Sequence, residues 1–239
     1  MNRLILDKFS QRASNIFVVT DTIVLQHLQN TLKLKRGGII NVCIIDRGLG
    51  SAKIIALSEQ SVQLEVIAES PGLPAKCHLI VALNRPPMMK RILEHGTTQG
   101  IKSFHFIKAE LSEKSYLQSK VLQEQEFIKY TNLGLAQSGH YFQRPQLSVT
   151  PYFNIVKTVD KKFVLDGRGL PLSTEERPFT QEFTLALGPE RGWTQEELAA
   201  FLDRGFQAIN LGPSTLRVEH ALYYGLGQIG LFQINCKDD

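Results

Sequence analysis

The stretch TLALGPERGWTQEEL, residues 184–198, combines an apolar run, a Gly-Pro pair, two charged residues and the start of a helix. The apolar segment 183–187 is short and ends at the Gly-Pro pair, which predicts a buried strand. Thr194 and Glu197 have the spacing of a capping box, in which each residue bonds the backbone of the other. The stretch therefore predicts a strand, a glycine-rich loop and a helix.

Units of this kind often bind nucleotides, because loop amides and the start of the helix face the ligand. The residues match neither GxxxxGK[ST], the phosphate-binding loop, nor GxGxxG, the dinucleotide-binding motif. Glu190 lies in the middle of the loop, where its carboxylate would repel a phosphate. A neutral or positively charged ligand is therefore favoured, and an ordinary strand-to-helix connection without a ligand is the alternative.

Length and composition are those of a globular protein. The 239 residues allow one or two domains, and 43% are hydrophobic and 21% charged. No apolar run reaches the ~20 residues of a membrane span, and the charged start MNRLILDKFSQR lacks a signal-peptide core. Cys43, Cys77 and Cys236 are widely separated, and the six histidines lack metal-ligand spacing. We therefore expect a cytoplasmic protein with neither a metal site nor a membrane contact.

The net charge of +4 is unevenly distributed along the chain. Residues 1–72 have a net charge of +2, residues 73–146 of +5 and residues 147–239 of −3. A polyanionic partner would contact the first two thirds and leave the last third for another ligand. Ordinary solvated faces are the alternative explanation.

The pattern of predicted secondary structure changes once along the chain, at the Pro/Gly-rich segment 68–76. Before it, short alternating segments separated by turn residues predict a small β-barrel, with one helix at about 21–32. After it, strands alternate with helices, which predicts a mostly parallel sheet covered on both faces. The predicted strands are 77–83, 101–107, 161–166, 183–187 and 207–211. The predicted helices are 86–100, about 114–138 with a break possible near Gly134, and 216–232.

Glycine-containing loops follow three of the predicted strands, at LDGRG (165–169), at Gly188-Pro189 and at Gly212-Pro213. Such loops converge on one crevice at the carboxyl edge of a parallel sheet. The last predicted helix contains three glycines, Gly225, Gly227 and Gly230, each costing up to ~1 kcal/mol in a helix. They favour close packing by a neighbour or a dimer interface, with a tolerant surface helix as the alternative.

Two motifs, LALGPERGWTQEE (185–197) and LGPSTLRVEHA (211–221), together resemble the signature of the SPOUT-class RsmE family. These enzymes are ribosomal RNA methyltransferases that methylate uridine N3 in small-subunit RNA. Segments 27–38 (HLQNTLKLKRGG) and 133–145 (LGLAQSG, then RP) also resemble the family pattern. The resemblance thus covers nearly the whole chain.

The resemblance implies an α/β fold with a SPOUT-type, trefoil-knotted, mostly parallel sheet, helices on both faces, and a preceding small PUA-like β-barrel. The implied domains are a PUA-like RNA-binding barrel at residues 1–72 and a SPOUT methyltransferase domain at 73–239. It also implies S-adenosylmethionine as methyl donor, a homodimer with active sites at the subunit interface, and 16S ribosomal RNA or the small ribosomal subunit as partner. A non-catalytic RNA-binding protein for ribosome assembly, with the same fold, is the alternative function.

Carried over position by position, the family pattern implies a set of site residues. Those expected near the donor are Leu165, Leu187, Gly188, Glu190, Gly192, Ile209, Leu211, Ser214, Thr215 and Leu216. Arg217 and then Arg3 are the candidates for stabilising the uridine anion, and Glu219 either orients Arg217 or is a structural cap. The division of charge, and not the family pattern, gives the residues expected to hold RNA, which are Arg12, Lys33, Lys35, Arg36, Arg47, Arg85 and Arg144.

The chain departs from the family pattern at several positions. Arg191 replaces a Gly and would be strained in a left-handed backbone. Ser214 replaces an Arg, and His220 replaces a Thr. These changes indicate lineage drift with altered RNA contacts, or a changed substrate or lost activity.

Overall fold

The computed structural model describes residues 2–155, 159–172, 179 and 181–231, and its contacts divide the chain into two compact units. The N-terminal unit comprises Met1–Pro74 with Asn132–Arg144, and the C-terminal unit comprises Ala75–Thr131 with Pro145–Asp239. Contacts therefore group residues 132–144 with the N-terminal strands. The sequence-based division into residues 1–72 and 73–239 separates them from those strands, and it stays a prediction.

Five strands with inward-facing apolar residues build the N-terminal unit: β1 (Leu4–Leu6), β2 (Ile16–Val19), β3 (Ile39–Ile44), β4 (Gly48–Leu57) and β5 (Val62–Ser70). Their order is β1-β3-β4-β5-β2, with β1 parallel to β3 and the other pairs antiparallel. Leu6, Phe17, Val42 and Leu64 are buried in one core. Because β1 and β2 are the two edges, the expected barrel is a curled half-barrel and not a closed one.

The helix expected at about 21–32 is present in the N-terminal unit. It consists of α1 (Thr22–Gln26) followed by a π-helical turn, His27–Thr31. The Asp21 carboxylate accepts hydrogen bonds from the backbone N–H groups of Ile23 and Val24, which satisfies donors at the helix start. Leu25 and Leu28 anchor this segment in the same core as the strands.

Six parallel strands form the sheet of the C-terminal unit: β6 (Cys77–Ala82), β7 (Ile101–Ile107), β8 (Gln146–Thr150), β9 (Lys161–Leu170), β10 (Phe183–Leu187) and β11 (Gln207–Ile209). Their order is β11-β9-β10-β6-β7-β8. The other helices are α2 (Pro86–Thr98), α3 (Glu124–Ser138), α4 (Gln195–Asp203) and α5 (Val218–Gly230). Residues of α2 and α5 share a core with Leu79 and Leu185, whereas α4 packs with Ile80 and Ala186 on the opposite face. The predicted parallel sheet with helices on both faces is therefore confirmed.

The single long helix predicted at 114–138 is wrong. Two short 3₁₀ turns, Lys114–Gln118 and Lys120–Leu122, precede α3, and the extended residues Ser119 and Gln123 separate the three pieces. Val121 and Phe127 are both buried in one core. On a continuous helix, residues six apart point ~120° away from each other, so the breaks allow both side chains to face that core.

The last helix, α5, begins two residues later than predicted, and Arg217 is its N-cap. Its predicted end at Phe232 and the third cysteine, Cys236, lie outside the described residues. Within the described part of the chain, no helix is long and apolar enough to cross a membrane.

A test of this architecture is the close approach of β9 and β11. A Cβ atom on Gly169 would lie 2.6 Å from the carbonyl carbon and oxygen of Ala208. We expect Gly169→Ala to lower the free energy of unfolding by ~1–3 kcal/mol, because the two backbones must separate. Gly167→Ala is the matched control, since its Cβ meets nothing within 4 Å. Urea denaturation that gave both variants the same stability would contradict the close approach.

Candidate functional site

A cavity of about 450 Å³ lies at the carboxyl ends of β9, β10 and β11 in the C-terminal unit. Residues 165–167 of β9, the loops at 187–192 and 209–216, and the start of α5 surround it. The loop predicted at 165–169 is wrong, because β9 continues to Leu170. All the residues that the sequence placed near a donor line this one cavity, namely Leu165, Leu187, Gly188, Glu190, Gly192, Ile209, Leu211, Ser214, Thr215 and Leu216. We call it the donor cavity.

The loop after β10 is shaped by two glycines and a capping box. A Cβ on Gly188 would lie 3.3 Å from the indole ring of Trp193, so the loop folds closely over that buried side chain. Gly192 has φ +76°, and its N–H donates to the Pro189 carbonyl at 2.9 Å. The capping box of Thr194 with Glu197 then starts α4 as predicted.

The expected strain at Arg191 is wrong. Among the described residues, only Lys33 and Asp46 combine a side chain with positive φ. The left-handed position of this turn is taken by Gly192, so the departure at Arg191 carries no backbone penalty.

Asn210 connects the loop after β11 to β9. Its backbone N–H donates to Leu170, its side-chain amide donates to the Gly167 carbonyl, and its side-chain oxygen accepts from the Gly212 N–H, each at 2.9 Å. Sequence reasoning did not assign this residue a role. The signal for it was local, because Asn two residues before a glycine is typical of an Asx turn.

Arg168 connects β9 to the loop after β10. Its guanidinium donates to both oxygens of Asp166, at 2.7 and 2.8 Å, and to the Trp193 carbonyl at 2.9 Å. Burial alone would raise the pKa of Asp166, but the hydrogen bonds and charge of Arg168 outweigh it and hold that pKa below its usual value. Asp166 lines the donor cavity as a carboxylate that the sequence had not assigned to the site.

The donor cavity has an apolar floor and a polar rim that carries two carboxylates, Asp166 and Glu190, and one guanidinium, Arg191. Leu165, Leu187 and Ile209 are buried, and the exposed Glu190 and Ser214 lie at the opening. Such a lining suits a ligand that combines an apolar ring with a positive charge.

One of the three helix glycines has a packing role at this cavity. A Cβ on Gly225 would lie 3.1 Å from Leu165, so the small residue allows α5 to pack on the cavity floor. Cβ atoms on Gly227 and Gly230 would meet nothing within 4 Å, so packing within the described chain explains only the first.

The two candidate catalytic arginines belong to different units. Arg217, the N-cap of α5, is exposed and lines a second cavity beside the donor cavity. Arg3 belongs to the N-terminal unit, where its guanidinium donates to the carbonyls of Val42 and Gly139, both at 3.4 Å. Arg3 is thus engaged in backbone contacts, whereas Arg217 faces a cavity.

Glu219 is bonded to Arg91, whereas the sequence suggested Arg217 as its partner. Its Oε1 accepts from Arg91 at 2.9 Å, and its side chain is 3% exposed. Among the described residues, no bond joins it to Arg217. Glu219 therefore connects α5 to α2, which supports the structural role over the orienting one.

Six of the seven basic residues expected to hold RNA lie in the N-terminal unit, and Arg85 lies in the C-terminal unit. Lys33, Lys35 and Arg36 are exposed in succession after the π-helical turn. Arg47 pairs with Glu69, Arg12 donates to the carbonyls of Phe9 and Gln11, and Arg144 donates to Asn132. The basic side chains of the exposed run 33–36 are thus the most available for a contact with RNA.

Comparisons with known proteins agree with this architecture. Residues 71–230 match the sequence profile of a family described as an RNA methyltransferase domain. The chain is 29% identical over 212 residues to "Ribosomal RNA small subunit methyltransferase E" of Treponema pallidum, covering 82% of this chain and 77% of the relative. A protein of that name from Synechocystis is 25% identical over 221 residues, covering 89% and 72%.

Solved structures show the same fold. The S-adenosyl methionine-bound "Ribosomal RNA small subunit methyltransferase E" from Neisseria gonorrhoeae superposes with a TM-score of 0.76 at 17% identity, covering 97% of this chain and 98% of that one. A Legionella pneumophila protein, crystallised in complex with the cofactor SAM, gives 0.77 at 18% identity, covering 98% and 99%. The expected fold class, a PUA-like unit followed by a SPOUT-type α/β unit, is confirmed.

The pair of Asp166 with Arg168 generates a pH-dependent prediction. Because the folded pKa of Asp166 lies below its ordinary value of 3.8, the pair stabilises the fold above that value, and the stabilisation is lost as the pH falls through the folded pKa. Asp166→Asn should lower the free energy of unfolding by ~1 kcal/mol at pH 7, and the difference from the wild type should shrink below pH 3.8. Urea denaturation across this range measures it, with the exposed Asp203→Asn as control. A difference independent of pH would contradict the assignment.

Proposed function

Because this chain belongs to the RNA methyltransferase domain family, we propose that it transfers a methyl group from S-adenosylmethionine to N3 of a uridine in 16S ribosomal RNA of the small subunit. The observation that carries the proposal is the donor cavity, in which all ten residues implied by the family pattern converge. The names of the sequence relatives support the RNA substrate, and the ligands of the two structural neighbours support the donor.

The proposed donor suits the chemistry of the cavity. S-adenosylmethionine carries a flat base, which the apolar floor of Leu165, Leu187 and Ile209 accepts, and no phosphate that the rim would repel. Its sulfonium is positive, so the carboxylate of Glu190 favours it electrostatically, whereas Asp166 is already paired with Arg168. Backbone groups of β9 at 165–167 and of the loops after β10 and β11 are available to the edge of the base and to the ribose.

The proposed chemistry is an in-line transfer to the uridine anion. The N3 proton leaves to water, the N3 lone pair attacks the methyl carbon, and the sulfur–carbon pair returns to sulfur, giving a neutral thioether and N3-methyluridine. Arg217 is proposed to stabilise charge on the carbonyl oxygens that flank N3, with Arg3 as second choice. Alignment of donor and acceptor supplies most of the remaining acceleration.

The proposed assembly is a cytoplasmic homodimer that binds 16S ribosomal RNA or the small subunit. Tyr224, in the middle of α5, and Leu231, its C-cap, are 55% and 84% exposed. Gly227 and Gly230 leave open space beside them. A second copy packing against this part of α5 would explain these features together.

The donor proposal is tested at Gly192, whose left-handed φ closes the loop. Gly192→Val should abolish S-adenosylmethionine binding in calorimetry while the protein stays folded, because a β-branched residue cannot hold φ +76°. Gly37→Val is the matched control, since Gly37 also has positive φ and open space but lies in the N-terminal unit. Unchanged donor affinity in Gly192→Val would remove this loop from the donor site.

The reaction is tested with unmodified 16S ribosomal RNA and with small subunits as substrates. We expect one uridine to gain a methyl group at N3, detected by mass mapping of the RNA. Donor binding without any transfer would contradict the assigned reaction. RNA binding without donor binding would instead favour the non-catalytic assembly protein.

A further prediction concerns the exposed basic run of the N-terminal unit. Neutralising Lys33, Lys35 and Arg36 together should weaken RNA binding and flatten its salt dependence, because fewer counterions are then released from the phosphates. Lys33 has φ +49° and is replaced by Asn, which tolerates that conformation; the other two are replaced by Gln. Donor affinity should not change.

The control for this triple variant neutralises three exposed basic residues of the C-terminal unit, Lys114, Lys120 and Arg204. It changes the net charge equally. If both triple variants lowered RNA affinity and its salt dependence by the same amount, the effect would be one of net charge and the basic run would have no special role.

A further inference from the structure

A second cavity, of about 420 Å³, lies beside the donor cavity in the C-terminal unit. The two cavities share Glu190, Thr215, Leu216 and Val218 in their linings. In-line transfer needs the acceptor nitrogen opposite the sulfur with the methyl between them. Because it shares a wall with the donor cavity, the second cavity is placed to receive the acceptor base.

The shared wall carries an ion pair. Arg85 Nε lies 3.2 Å from Glu190 Oε2, and the two side chains are 64% and 38% exposed. Glu190 lines both cavities, whereas Arg85 lines the second. A solvent-exposed pair of this kind is weak and exchanges its partners readily.

The position of Arg85 is fixed by its backbone. It is the N-cap of α2, two prolines follow it, and its carbonyl accepts from the N–H groups of Met88 and Met89 at 2.8 and 3.1 Å. The Arg217 side chain, by comparison, has no hydrogen bond or ion pair among the described residues. Both arginines line the second cavity, but among the described residues only the Arg85 guanidinium is paired with Glu190 at the wall that the two cavities share, so Arg85 is the one that can respond to a bound donor.

We propose that Arg85 is a catalytic residue of the second cavity, held by Glu190 until the donor binds and then turned to the uracil anion. This rests on the proposed function, and it assigns Arg85 a role beyond the RNA contact that the sequence suggested. The sulfonium supplies a second cation for the Glu190 carboxylate, and the released guanidinium then donates to a carbonyl oxygen beside N3. After transfer the thioether is neutral, and Glu190 returns to Arg85.

The first test uses affinities and needs no turnover. Arg85→Gln frees Glu190, so the preference for S-adenosylmethionine over the neutral S-adenosylhomocysteine should rise roughly two- to fivefold in calorimetry. Glu190→Gln should lower that preference by a similar factor. Arg204→Gln, an exposed arginine at the end of α4, is the control and should leave it unchanged. Equal preferences in Arg85→Gln and the wild type would overturn the exchange of partners.

The second test measures single-turnover methylation at saturating RNA. Arg85→Gln should lose about 10²-fold in rate, and the deficit should shrink as the pH rises, because more uridine is then already ionised. Arg85→Lys keeps the charge without the planar guanidinium, so its rate should lie between those of the wild type and Arg85→Gln. A normal rate with weakened, less salt-dependent RNA binding would make Arg85 a phosphate contact only and overturn the proposal.

Failure of the proposal and failure of the proposed function give different results. If the wild-type protein transfers no methyl group to uridine N3, the proposed function fails. If the wild type is active and Arg85→Gln is equally active, only the role of Arg85 fails.

Discussion

The site depends on the parallel pairing of β9 with β10 on one side and with β11 on the other. The carboxyl ends of parallel strands meet at one edge of a sheet, so loops that are distant in sequence become neighbours there. Gly169 allows the backbones of β9 and β11 to approach, and Asn210 spans the same gap with hydrogen bonds. Without that approach, the loop after β11 would separate from β9 and from the loop after β10, and the donor cavity would lose one side.

The parts of the site that could be predicted are those with a local signal. A Gly-Pro pair after an apolar strand is visible in the sequence, and the family motifs then placed ten residues that converge in the structure. The Asp166–Arg168 pair and the Asx turn at Asn210 are local, but the bonds from Arg168 to Trp193 and from Asn210 to Gly167 join segments that lie far apart in the sequence and could not be predicted from it. The break at Ser119 was also not predicted, because it depends on which side chains are buried in the core.

The departures from the family pattern concern side chains more than backbone. Arg191, Ser214 and His220 are all exposed, and the left-handed turn falls on Gly192. Replacements at exposed positions with ordinary backbone conformations change what the surface presents and leave the fold intact. Arg191 and Ser214 line the donor cavity, so these two departures change the surface that a donor would contact, whereas His220 is not among the residues that line it.

The proposed reaction gives a physical explanation for the uneven distribution of charge along the chain. A partner made of RNA would favour basic residues throughout, yet residues 147–239 have a net charge of −3. Asp166 is committed to Arg168, so Glu190 is the carboxylate best placed to respond to the donor. In the proposed reaction a sulfonium becomes a neutral thioether, so the Glu190 carboxylate would attract the substrate form of the cofactor more than its product. Under the proposed function, the carboxylate at the donor cavity and the basic residues of the N-terminal unit would serve two ligands of opposite charge in one chain.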